Sequence, residues 1–250
     1  MDEEETKHSE EATTTFVVRN EIFGASDSDD LCDEIEAKKV QTIIFENCTF
    51  TCIYPLLNAI LHNKFVEVVS ISHCKQRFGP EDEDRAVPGD YLNSKITYLN
   101  INDTNLDRHC TAVLHYWITS GDNEKRMKSL RMVRVVKELG HLHLVLRNFF
   151  HLEALVISGN KAQEGLCMNG LCGTLSRNKK LQVLDVSNCG LGMFPDVMTE
   201  LIHPLVKQLQ ELVCLSIDQN GLLSQDFSVL RKAVYDHPHL LVIMAENPIL

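Results

Sequence analysis

Residues 181–191 read Leu181-Gln182-Val183-Leu184-Asp185-Val186-Ser187-Asn188-Cys189-Gly190-Leu191. Leu184 and Val186 alternate with Asp185 and Ser187, which is the period of a half-buried strand. Asn188, Cys189 and Gly190 follow as a turn, in which Cys189 can sit inside as a small apolar residue. One such strand alone has nothing against which to bury its apolar side. The frame recurs along the chain, so each copy can bury that side against the next, as in a repeat protein.

Counting from the frame's first residue, full copies begin at Val40, Val66, Ile96, Leu130, Leu152, Leu181, Leu212 and Leu240, after a degenerate copy at Thr13. Successive starts lie 27, 26, 30, 34, 22, 29, 31 and 28 residues apart, a mean of about 28. The copies at Leu152 (Leu155, Ile157, Asn160) and Leu212 (Leu215, Ile217, Asn220, Leu222) are the most regular. Cys48, Cys74 and Cys189 share the ninth position. The pattern resembles the leucine-rich repeat, L-x-x-L-x-L-x-x-N/C-x-L, and its length resembles the ribonuclease-inhibitor-like subclass. The resemblance implies an α/β solenoid, a horseshoe with a parallel strand ladder on its concave face and helices on its convex face. It speaks to fold far more than to function.

The expected organisation is an acidic, disordered tail over residues 1–12, an N-terminal capping strand and helix over 13–39, and the solenoid over 40–250. Ser26-Asp-Ser-Asp-Asp reads as a loop and N-cap, with a helix from Asp30 to Lys39. Ser26 and Ser28, followed by acids, fit an acidophilic kinase, against the simpler reading of a solvated capping loop. Helices are expected over Thr51–His62, Asp107–Thr119, Glu164–Leu175, Pro195–Leu209 and Gln225–Tyr235. Pro204 should kink or split the fourth of these five, because it lacks an N–H. Two places break the period. Residues 75–94 hold two prolines, two glycines and a run of acids, and read as a polar loop. Around residue 120 the strand at Leu130 competes with a continuous helix from Glu124 to Leu139. The last copy ends without a helix, so Asn247-Pro248, a partner or a second copy should blunt its edge.

The chain has 250 residues and a formal charge of −11, which disfavours nucleic acid and anionic membrane as partners. The acidic start is unlike a signal peptide, and no apolar run has bilayer length, so a cytoplasmic or nuclear location is expected. Nine cysteines, an odd number, do not suggest a disulfide framework. Catalytic motifs are missing: there is no Gly-rich phosphate loop, no G-x-S-x-G and no H-E-x-x-H. Cys48 with Cys52, and Cys167 with Cys172, lack partners at zinc spacing. His141, His143 and His151 alternate and read as surface residues. The expectation is therefore no enzyme, no metal and no cofactor.

What a solenoid offers is a surface. Frame positions three, five and seven point outward from the ladder. They give Tyr98 and Met132 as anchors, with Asn100 and Arg134 beside them, and Asp185, Asp218 and Glu246 as an acidic end. Arg134 belongs to a basic run with Lys125, Arg126, Lys128, Arg131 and Lys137. The competing view is a solvated face whose apolar residues serve strand propensity. The functional expectation is a non-catalytic protein-binding module or adaptor whose partner offers a basic segment. The alternatives are a regulator of a small GTPase or other enzyme, since such repeats also build GTPase activators, and a structural subunit, perhaps cytoskeletal, of a larger assembly.

Overall fold

The computed structural model describes residues 14–77, 91–106, 108–135, 146–161, 171, 173–194, 197–235, 237, 239–243, 245 and 247. Nine strands form one parallel sheet in which each strand pairs with the next along the chain. They are β1 (Thr15–Arg19), β3 (Thr42–Glu46), β5 (Val68–Ser72), β7 (Tyr98–Asn102), β8 (Ser129–Val133), β9 (Ala154–Val156), β10 (Val183–Asp185), β11 (Cys214–Ser216) and β12 (Leu241–Ile243). A second, three-stranded sheet joins β2 (Ile22–Phe23), β4 (Thr49–Phe50) and β6 (Lys75–Gln76) behind the first copies. The helices are α1 (Ala25–Ala37), α2 (Tyr54–His62), α3 (Arg108–Thr119), α4 (Asn123–Arg126), α5 (His203–Gln208) and α6 (Ser224–Tyr235).

Burial alternates along β3, β5 and β7, with the second and fourth residues of each inside. Frame positions one, four and six thus form one continuous core between the ladder and the helices; Leu184 and Leu215 are both fully buried within it. Position eight follows each strand, and in every described copy it is left-handed. It is Asn20, Asn47, His73, Asp103, Arg134, Gly159, Asn188 or Gln219, with φ between 49° and 75°. That conformation turns the chain out of the ladder at the same point in each repeat.

Position nine then turns inward and caps its neighbour. The Asn220 carbonyl oxygen accepts the Cys189 and Leu191 N–H groups at 2.9 and 3.2 Å, while its amide donates to the Val186 and Ile217 carbonyls. Asn160 does the same two copies earlier, accepting from Val135 N–H and donating to the Met132 and Ile157 carbonyls. Where a cysteine stands there, as at Cys48 or Cys74, its thiol leans on a carbonyl two residues back.

Several expectations need correction. Helix α1 begins at Ala25, so Ser26 and Ser28 stand in its first turns and not in a loop; their side chains lie outside the described residues. The Asp27 carboxylate accepts the Gly24 N–H at 2.7 Å, and acids suit this end of the helix dipole. The loop expected over residues 75–94 is anchored at both ends, although 78–90 lie outside the described residues. Lys75 and Gln76 pair in the small sheet. On the far side Tyr91 is fully buried: its hydroxyl donates to Asn58 Oδ1 at 2.7 Å and its ring lies 4.1 Å from that of His62. Trp117 then donates to Ser94 Oγ at 2.9 Å, and Asn123 donates to the Tyr91 carbonyl.

Before Pro204 the helix splits, as its missing N–H requires: Met198–Ile202 is a π turn in which His203 N–H reaches the Met198 carbonyl, and α5 follows. The strand reading at Leu130 holds over the continuous helix, since α4 ends at Arg126 before β8. The tail over 1–12 and most of the helix expected over 164–175 lie outside the described residues.

Candidate functional site

Two copies sit in a different frame from the one the sequence suggested, and this decides which residues face outward. In β8, Leu130 pairs with Leu99, the fourth position, so the copy begins at Met127. The spacing becomes 31 and 25 in place of 34 and 22, closer to the other copies. Met132 therefore occupies position six and is buried, 2 % exposed; it is a core residue and not an outward anchor. In β12, Leu241 pairs with Cys214, so this copy begins one residue earlier than Leu240. A shift of one residue exchanges the two sides of a strand. Accordingly Leu241 and Ile243 are exposed, while Val242 packs on the core.

Asn247 then falls at position nine. It turns inward, accepting the Asn220 and Leu222 N–H groups, so it is one more capping residue. Glu246 and Pro248 lie outside the described residues.

Arg134 does not face outward from the ladder either. It holds the left-handed position eight and clamps Asp103 with two hydrogen bonds, Nη2 to Oδ2 at 2.6 Å and Nε to Oδ1. His73 Nδ1 stands 3.2 Å from the same carboxylate. Gly159, also left-handed, leaves the room this needs, because a Cβ there would collide with Arg134 Cγ.

The clamp holds the Asp103 carboxyl below the usual carboxylate pKa of 3.8, chiefly through the Arg134 hydrogen bond. A depressed carboxylate contributes stability that is full above its unfolded pKa and is lost as pH falls through the folded value. Asp103→Asn should therefore flatten the stability profile below about pH 4, as read by urea melts across the acid range. An unchanged acid limb would show that the clamp adds nothing.

The outward face runs as follows. Tyr98 holds position three of β7 and is half-buried. Asn100, at position five, donates to Ser70 Oγ at 2.9 Å. The side-chain amide oxygens of Asn100 and Asn102 are buried without a protein donor. Next to Asn100 in register stands Arg131, exposed on β8. The sequence reading counted Arg131 in a basic run but not on the face; the more even repeat spacing was the signal for it. The rest of that run disperses. Lys125 pairs with Asp122, Arg126 donates to the Ser94 carbonyl, and Lys128 lies 3.9 Å from Glu153 at the ladder's margin. Lys137 lies outside the described residues.

Asp185 is half-buried at position five of β10, with one carboxylate oxygen accepting the Ser187 N–H at 2.9 Å. Asp218 stands at position seven after β11 and accepts the Gln219 N–H. His151 is exposed, whereas His141, His143, Cys167 and Cys172 lie outside the described residues. Among the described residues no three His, Cys, Asp or Glu side chains gather to hold a metal ion.

Nine parallel strands in one frame, a left-handed residue after eight of them, and inward asparagines at position nine decide the architecture. The chain folds as a leucine-rich-repeat solenoid. The family model described as Leucine Rich Repeat matches residues 180–201, the stretch around β10. A comparison with curated proteins finds no match to the solenoid. Among solved structures, an internalin from Listeria monocytogenes str. 4b F2365 is similar at 13 % identity and a TM-score of 0.38, over 95 % of this chain and 82 % of that one. That likeness is remote, and the solenoid is established by its own strand ladder.

Among the described residues no helix is long and apolar enough to cross a membrane.

Proposed function

We propose that the solenoid is a non-catalytic adaptor that holds a protein partner on its concave face. The observation that carries this reading is the outward side of the nine-strand ladder. Positions three and five are mostly small, apolar or uncharged there, and they run without interruption from β1 to β12. Large half-buried aromatic side chains on such a surface are typical binding anchors, and Tyr98 is the one that stands at its centre. Asp185 and Asp218 supply negative charge toward the C-terminal strands and suit a basic segment of the partner. Cys48, Cys74, Cys189 and Cys214 are free thiols, which suits a reducing cytoplasmic or nuclear compartment. Repeats of about 28 residues with helices behind the ladder agree with the ribonuclease-inhibitor-like subclass.

Purification of the tagged chain with its partners, followed by reconstitution with the purified partner, tests the reading. Tyr98→Ala should weaken binding by about 2 kcal/mol if it is a central hot spot. Asp185→Lys with Asp218→Lys should slow association most at low salt. Wild-type binding by both variants would move the contact to the helices or to the loop after β6.

A further inference from the structure

Within position five, only Arg131 and Asp185 carry charge across the nine strands of the ladder. They flank β9 on either side, because Arg131 pairs with Val156 and Val156 pairs with Asp185. Two strand spacings separate them by about 10 Å. Neither has an ionic partner among the described residues, in contrast to Arg134, Lys125 and Lys128. The floor between them is small: Ala154 and Val183 stand at position three, Val156 at position five, and Ser158 and Ser187 at position seven. Beside Arg131, the Asn100 side-chain amide oxygen has no protein donor among the described residues.

The geometry points to an extended peptide segment that crosses β8, β9 and β10. It carries an acidic side chain against Arg131 and a basic one against Asp185. An extended chain in the polyproline II conformation turns once every three residues and rises about 3.1 Å per residue, so side chains three apart lie on the same side about 9 Å from each other. The preferred motif is therefore an acidic and a basic residue three apart. This inference rests on the concave-face reading and adds the chemistry of the ligand to it. A uniformly basic segment would match Asp185 but meet Arg131 with like charge, which is how such a face rejects wrong partners.

The test selects a random twelve-residue peptide library, displayed on phage, against the immobilised full chain. Enriched peptides should carry the three-apart acidic and basic pair. A synthetic representative should bind about tenfold more weakly to Arg131→Glu or to Asp185→Lys, with circular dichroism showing that both variants remain folded. Reselection on Arg131→Glu should enrich two basic residues at that spacing, and reselection on Asp185→Lys two acidic ones. Enrichment without this spacing, or none above a bare-surface control, overturns the proposal. If peptides of another pattern are still lost on Tyr98→Ala or Val156→Arg, the concave face remains the binding surface and only the charge rule fails. Peptides indifferent to every one of these substitutions overturn both.

Discussion

Asn220→Ala should cost about 3–5 kcal/mol, because it strands several buried backbone groups at once. The Asn220 side chain satisfies two N–H groups of the preceding turn and two carbonyls, and it is 2 % exposed. Alanine leaves Cys189 and Leu191 N–H without acceptors, and each such orphan costs roughly 1–3 kcal/mol. Asn220→Asp separates the two functions of the side chain. It keeps the acceptor for the N–H groups but sets a carboxylate against two carbonyls, so it should also destabilise, and more so as pH rises. Denaturant melts of the three proteins decide the matter. A loss below about 1 kcal/mol for Asn220→Ala, less than a single such orphan, would mean that water replaces the amide and that the capping row is dispensable.

Leu184→Ala should cost about 2–5 kcal/mol through lost burial and the cavity left behind. Leu184 is fully buried and pairs in register with Leu155 and Leu215, each at the same position of its own repeat. Stacked repeats share their core only with neighbours. The damage should therefore centre on β9, β10 and β11 and spare β1 to β5, as hydrogen exchange would show strand by strand. Uniform loss of protection along the ladder would mean that the solenoid unfolds as one cooperative unit. A loss below half a kcal/mol, far under the usual cost of such a truncation, would mean that the register at β10 is wrong.

The strand ladder was legible because Leu, Ile and Val recur at fixed offsets, and burial on one side leaves no freedom in register where alternation is clean. It failed where alternation is blurred. Around β8 the run Arg131-Met132-Val133-Arg134-Val135-Val136 supports two offsets, and Met127 is hidden among Lys125, Arg126 and Lys128. At β12 the run Leu240-Leu241-Val242-Ile243-Met244 is apolar throughout, so hydropathy cannot choose between its sides. In that copy the asparagine is the better guide: Asn247 stands eight residues after the true start, as Asn160 does after Leu152 and Asn220 after Leu212.

The binding face read from the sequence carries the same errors: it holds Met132 and Arg134 and omits Arg131. The anchoring of Tyr91 had no signal either, since a tyrosine next to a Pro-Gly-Asp run looks like loop. Its burial depends on Asn58 and His62, which are distant in sequence.

The position-nine cysteines also make the molecule report on its own opening. Burial pushes the thiols of Cys74 and Cys189 up to about 12. At neutral pH almost no thiolate forms while their repeats stay closed, and the thiolate is the species that reacts with alkylating agents. Labelling must then wait for the local structure to part, so its rate measures how often that happens. Cys74 follows β5 and Cys189 follows β10, so the two thiols sample well-separated parts of the ladder. Mass spectrometry of the labelled peptides would time the breathing of each part separately, in the native chain and without any engineered probe. A ligand seated across β8 to β10 would slow the Cys189 reaction and leave that of Cys74 unchanged.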